Sequence, residues 1–166
     1  VTSVTVPYVE GMLNVLTTIA VQAEAPRASF VLLDYADDTA YPRLLTDLWA
    51  EEEDFALVEQ DVEPPENWLA EFDACDMPWC IRGPEGRPGL DWMGCVRFRG
   101  SLLRHYPDLA WQAMSLDDDG DIAWTWRKID VRLARALRSE HVAPCFHTPL
   151  CRHHNVRRPW DLLPET

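Results

Sequence analysis

Two uninterrupted apolar runs, Phe30-Val31-Leu32-Leu33 and Phe55-Ala56-Leu57-Val58, constrain most strongly what this chain can fold into. A strand that is apolar at every position is buried on both faces, the habit of parallel sheets. The segments around these runs complete an alternating pattern. Val4-Thr5-Val6 reads as a short strand ending at Pro7. In residues 9–23, Met12, Leu16, Ile19, Ala20 and Ala23 fall on one helical face, and Pro26 stops the helix. Leu44, Leu45 and Leu48 space a second amphipathic helix, which fades into the charged run 51–54. Strand, helix, strand, helix, strand predicts an α/β fold: one Rossmann-like domain with a mostly parallel central sheet flanked by helices.

Beyond residue 63 the chain is punctuated into turns by Pro64, Pro65, Pro78, Pro84 and Pro88, with Gly83, Gly86 and Gly89. Residues 92–98 read as a strand in which Gly94 permits close approach. Residues 101–105 read as a short helix, and residues 116–121 as an acidic loop. Ile129, Leu133 and Leu137 stripe a helix that runs to about Ser139, with Arg132, Arg135 and Arg138 off the stripe. There is no internal repeat and no linker, so residues 1–155 read as one domain and 156–166 as a C-terminal tail.

A net charge of −13 opposes binding to nucleic acid, which needs clustered Lys and Arg to neutralise phosphates, and opposes adhesion to anionic membranes. The same acidity suits a protein that holds a divalent cation, although solubility alone explains it. No apolar run reaches the ~20 residues of a membrane span. Residues 12–20 include Asn14, Thr17 and Thr18 and follow no basic leader, so they do not read as a secretion signal. With five cysteines and no such signal, reduced thiols in a cytoplasmic setting are expected. The eight tryptophans read as packing first.

Open parallel sheets bind ligands outside the carboxyl ends of their strands. Two acidic groups fall at that edge: Asp34 with Asp37 and Asp38, and Glu59 with Asp61. Two carboxylates one residue apart at a strand end can share a hard cation such as Mg²⁺ or Mn²⁺, which usually also takes substrate phosphates. The alternative is that Glu59 and Asp61 are solvated residues opening a Pro-rich loop. Asp34, Asp37 and Asp38 can meet a nucleoside or its ribose; helix capping by Asp37, Asp38 or Thr39 competes with that. Near the C-terminus Cys145, His147, Cys151, His153 and His154 crowd together, with Cys75 and Cys80 upstream. Zn²⁺ favours such donors, but the spacing contains no Cys-x-x-Cys, and buried packing is the competing role for the thiols. A histidine reaching a cation held by Asp61 also accounts for a His-rich terminus, with His153 and His147 as candidates.

In sum, these residues resemble GT-A-type glycosyltransferases, specifically small proteins of that kind from actinobacteria and their phages. The resemblance rests on the strand and helix order followed by Glu59-Gln60-Asp61-Val62-Glu63-Pro64-Pro65. Cys75 with Pro78-Trp79-Cys80, Gly94-Cys95-Val96-Arg97-Phe98, and the stretch from His147 to His154 add to it. It implies a GT-A-like domain that binds a nucleotide-sugar donor through Mn²⁺ or Mg²⁺ and transfers the sugar to a hydroxyl acceptor. Asp61 would be the principal metal ligand, with Glu59 on the metal or ribose and His153 completing the set. Asp130, at the start of the 129–139 helix, would be the general base if the reaction inverts, against a role in the helix's first turn. Trp79, Gly94 and Trp124 are the expected substrate-lining positions, with Trp92 a further stacking candidate. The competing expectation is a catalytically inactive binding domain on the same scaffold, with structural zinc in the Cys/His segment.

Overall fold

The computed structural model describes residues 1–86, 93–115 and 129–154. β1 (Ser3–Val9), α1 (Val15–Glu24), β2 (Ser29–Leu33), α2 (Ala40–Ala50) and β3 (Phe55–Val58) follow one another in the alternation expected from the sequence. Next come β4 (Val62–Glu63), α3 (Trp68–Ala74), β5 (Trp79–Ile81), β6 (Cys95–Phe98), α4 (Gly100–His105) and α5 (Leu109–Ser115). The described chain continues with α6 (Ile129–Ser139), β7 (Cys145–Phe146) and β8 (Arg152–His153). The acidic loop 116–121 and the tail 156–166 lie outside the described residues.

Six strands form the main sheet in the order β2-β1-β3-β6-β5-β7, and β4 pairs with β8 in a small second ribbon. The sheet is mostly parallel: β1 runs parallel to both β2 and β3, and β5 to β7, while β6 is antiparallel to β3 and β5. All four residues of β3 are buried, as an apolar run in a central strand requires. Phe55 and Leu57 belong to a core with Leu45, Trp49, Phe98, Leu103, Leu133 and others, under α2, α4, α5 and α6. Ala56 and Val58 belong to the opposite core, with Val4, Val6, Val21, Trp68, Phe72, Cys80, Cys95 and Cys151, under α1 and α3. The alternation of side chains along β3 thus divides two layers of helices between the two faces.

Three local expectations change. β1 does not end at Pro7 but runs through it to Val9. Its pairing with β3 stops at Thr5, and the N–H of Val9 points to the β3 side, where it meets Gln60. Pro7, two residues earlier, directs its missing donor the same way, past the end of the ladder, so no hydrogen bond is lost. α1 begins only at Val15, after Asn14 caps it by accepting from the Leu16 N–H at 2.8 Å. Its buried residues are Thr17 and Val21, while Leu16 and Ile19 from the expected stripe are exposed. The helix lies across β4, so the covered strip is the one turned to that ribbon. The strand expected over residues 92–98 is ordered as β6 from Cys95.

Candidate functional site

β1 leads through α1 to β2 on one side of the sheet, and β3 then returns to pair with the other side of β1. The carboxyl ends of β1 and β3 therefore flank the point where strand order reverses, the crevice in which such sheets take ligands. Glu59-Gln60-Asp61 leaves β3 at that point.

Gln60, the residue between the two acids, ties the crevice together. Its side-chain Oε1 accepts from the Val9 N–H at 2.7 Å, and its backbone carbonyl accepts from the Asn14 N–H at 2.8 Å. The end of β1 and the cap of α1 are thus held against the exit of β3. Sequence reasoning missed this role, because the partners lie some fifty residues away and carry no local signal.

The β4–β8 ribbon brings the C-terminal histidines to the acids. Val62 lies opposite His153 and Glu63 opposite Arg152, and the His154 N–H donates to the Asp61 carbonyl at 2.8 Å. His153 Nε2 lies 3.3 Å from Asp61 Oδ2, and His154 Nε2 lies 2.8 Å from Glu63 Oε2. The Asp61 side chain is 14% exposed and that of His153 31%, so the pair is accessible without being fully solvated. Two donors on adjacent vertices of an octahedron with bonds of ~2.1 Å are about 3 Å apart, close to the Asp61–His153 separation. A carboxylate oxygen and an imidazole nitrogen at this spacing can pair with each other or both reach one divalent cation.

Glu59 continues the β3–β6 ladder by donating its N–H to the Gly94 carbonyl at 2.8 Å, so Gly94 is buried beside the crevice floor. Asp130 sits in the first turn of α6, where a carboxylate suits the helix dipole. Burial raises the Tyr41 hydroxyl well above its ordinary range, and the charges of Glu59 and Asp130 raise it further. Both carboxylates are therefore within electrostatic range of the same phenol.

The β2 exit is less committed to a ligand. Asp34 Oδ1 accepts from the Ala36 N–H at 2.9 Å. Asp37 Oδ1 accepts from both the N–H and the hydroxyl of Thr39, and its other oxygen pairs with Arg43. The hydroxyl and N–H of Thr39, together with Arg43, hold the Asp37 carboxyl below its usual range. Asp37 thus serves the start of α2, and Asp34 and Asp38 remain exposed. Trp79 is only 1% exposed and stacks on Phe98 at 5.9 Å between centroids, so it is core and offers no ring face to a sugar. Trp124 and Trp92 lie outside the described residues. His147 is placed with Cys75 and Cys145.

No family model and no curated protein matches the sequence. Among solved structures, the fold is similar to a glycosyltransferase involved in glycosylation of the major capsid of PBCV-1. The TM-score is 0.51 at 11% identity, covering 89% of this chain and 82% of that one. At that identity the likeness extends to the fold, a glycosyltransferase-like α/β domain. No described helix is long and apolar enough to cross a membrane.

Proposed function

We propose that this chain is a glycosyltransferase that moves a sugar from a nucleotide-sugar donor to a hydroxyl acceptor at the carboxyl edge of β1 and β3. The observation that carries the reading is the Asp61–His153 pair at the strand-order reversal. An acidic rim repels a diphosphate unless a cation lies between them, and here two donors for one stand together. Asp61 and His153 would hold Mn²⁺ or Mg²⁺, with Glu59 beside them. When bound, the ion supplies Lewis-acid neutralisation of the charge that develops on the leaving diphosphate. The nucleoside end lies toward β2, near Asp34 and Asp38. Asp130, whose charge like that of Glu59 acts on Tyr41, is assigned the proton of the acceptor hydroxyl. The resemblance of the sequence to GT-A enzymes and the fold of the PBCV-1 protein support the same reading.

The test is calorimetric titration of the full chain with nucleoside diphosphates and nucleotide sugars, with and without Mn²⁺. One nucleotide should bind only when Mn²⁺ is present. Asp61→Ala should abolish that binding while leaving the far-UV circular dichroism unchanged. A folded chain that binds none of the panel in either condition would remove the transferase reading.

A further inference from the structure

On the face of the sheet covered by α3, a second group of metal-binding side chains gathers away from Asp61. The ligand atoms of Cys75, Cys145 and His147 all lie within 4.8 Å of one another, and among the described residues theirs is the one such trio. Sheet register explains the gathering. Cys80 of β5 is the register partner of Cys145 of β7, so both side chains share a face. His147 follows Cys145 by two residues and extends the ladder by donating its N–H to the Ile81 carbonyl at 2.9 Å, which returns its ring to that face. Cys75 enters from the C-cap of α3. Its thiol is within hydrogen-bonding reach of both Cys80 and Cys145.

Two further observations point to a ligand. Nε2 of His147 is buried and has no hydrogen-bond partner among the described residues, an orphan that normally costs stability. Arg97 of β6, the register partner of Cys80, is completely buried. Its guanidinium donates to the carbonyls of Phe72, Cys75 and Met77 and to Cys80 Sγ at 3.1 Å, and among the described residues no carboxylate pairs with it. A buried cation without an anion is expensive. Zn²⁺ with three thiolates and a neutral imidazole carries one net negative charge, the counter-ion that Arg97 lacks. Around tetrahedral zinc two sulfurs stand about 3.8 Å apart and a sulfur and a nitrogen about 3.5 Å, so the trio needs about 1.3 Å of closure at most, and Cys80, outside the trio, reaches it through Cys75.

We infer that Cys75, Cys80, Cys145 and His147 form a structural zinc site that fastens α3 to β5 and β7, with Arg97 donating to the thiolates. It is a closed four-ligand site, distinct in donors and place from the cation pair at Asp61. The absence of a Cys-x-x-Cys spacing does not weigh against it, because neighbouring strands supply the ligands.

The experiment measures metal in the full chain, expressed with zinc and purified without chelator. The expected result is one zinc per chain that survives dialysis and is bound through sulfur and nitrogen by X-ray absorption. Asp61→Asn should keep the zinc, whereas Cys75→Ser and Cys145→Ser should each lose it. Since those variants can fail to fold, the wild-type chain stripped of metal and given Co²⁺ provides a second readout. It should show the visible spectrum of a tetrahedral thiolate site. A folded wild-type chain with neither zinc nor that spectrum would overturn the inference, as would zinc retained in both serine variants. A Cys75–Cys145 disulfide in the freshly isolated protein would overturn it equally.

Discussion

Gln60 shows how much one side chain can settle at this site. Placed between two acids, it turns its amide oxygen to the last N–H of β1 and leaves Glu59 and Asp61 to the crevice. Gln60→Ala leaves the Val9 N–H unsatisfied in a half-buried position. The expected loss is about 1–3 kcal/mol, read from urea unfolding with an unchanged slope. Gln60→Glu keeps an acceptor there and should lose less. Asp37 is the contrasting case. Its bonds to Thr39 and Arg43 are local in sequence and form an Asx-type turn ahead of α2, whereas Thr39, the N-cap, makes no side-chain cap bond, so the expected capping gives way to a turn role.

At the level of elements, periodicity succeeded where a helix covers a broad core. The stripe Ile129, Leu133, Leu137 is the buried side of α6. It failed for α1, where the apolar residues outnumber the places to bury them and β4 chooses the side that is covered. The consequence is measurable. Val21→Ala, at a fully buried position, should cost about 2 kcal/mol, whereas Ile19→Ala, at 59% exposure, should stay within about 0.5 kcal/mol. Thermal or urea unfolding of the two variants side by side checks this. The two-residue strands β4 and β8 were not legible at all. Each is too short for any periodicity, and Glu63 and His154, which they bring together, are 91 residues apart.

Across the whole molecule, the sheet keeps two acid- or thiol-rich centres apart. The acids collect at the carboxyl edge of β3, and all five cysteines lie in the core layer under α1 and α3 or are packed against it. A ligand that binds only the folded chain stabilises it by mass action. Mn²⁺ with the correct nucleoside diphosphate, at about 100 times its dissociation constant, should add about 2.7 kcal/mol. That corresponds to a rise of about 5–10 °C in Tm for a chain of this size. Differential scanning fluorimetry should show the rise in wild type and none in Asp61→Ala.

The sequence alone determined the α/β class, the central buried strand β3 and its acidic exit, because these depend on short-range patterns of burial and charge, whereas the equally apolar run of β2 falls at the sheet edge with Leu32 exposed. Tertiary structure decided which distant groups complete those patterns. It set His153 beside Asp61 through a two-residue ribbon and Gln60 under β1. It also parted the Cys/His-rich segment into separate neighbourhoods. Cys145 and His147 join Cys75, Cys151 lies against Cys95, His153 turns to Asp61 and His154 to Glu63. The physical reason is the two-residue alternation of strands: side chains adjacent in the sequence point to opposite faces, and only strand register settles what each one meets.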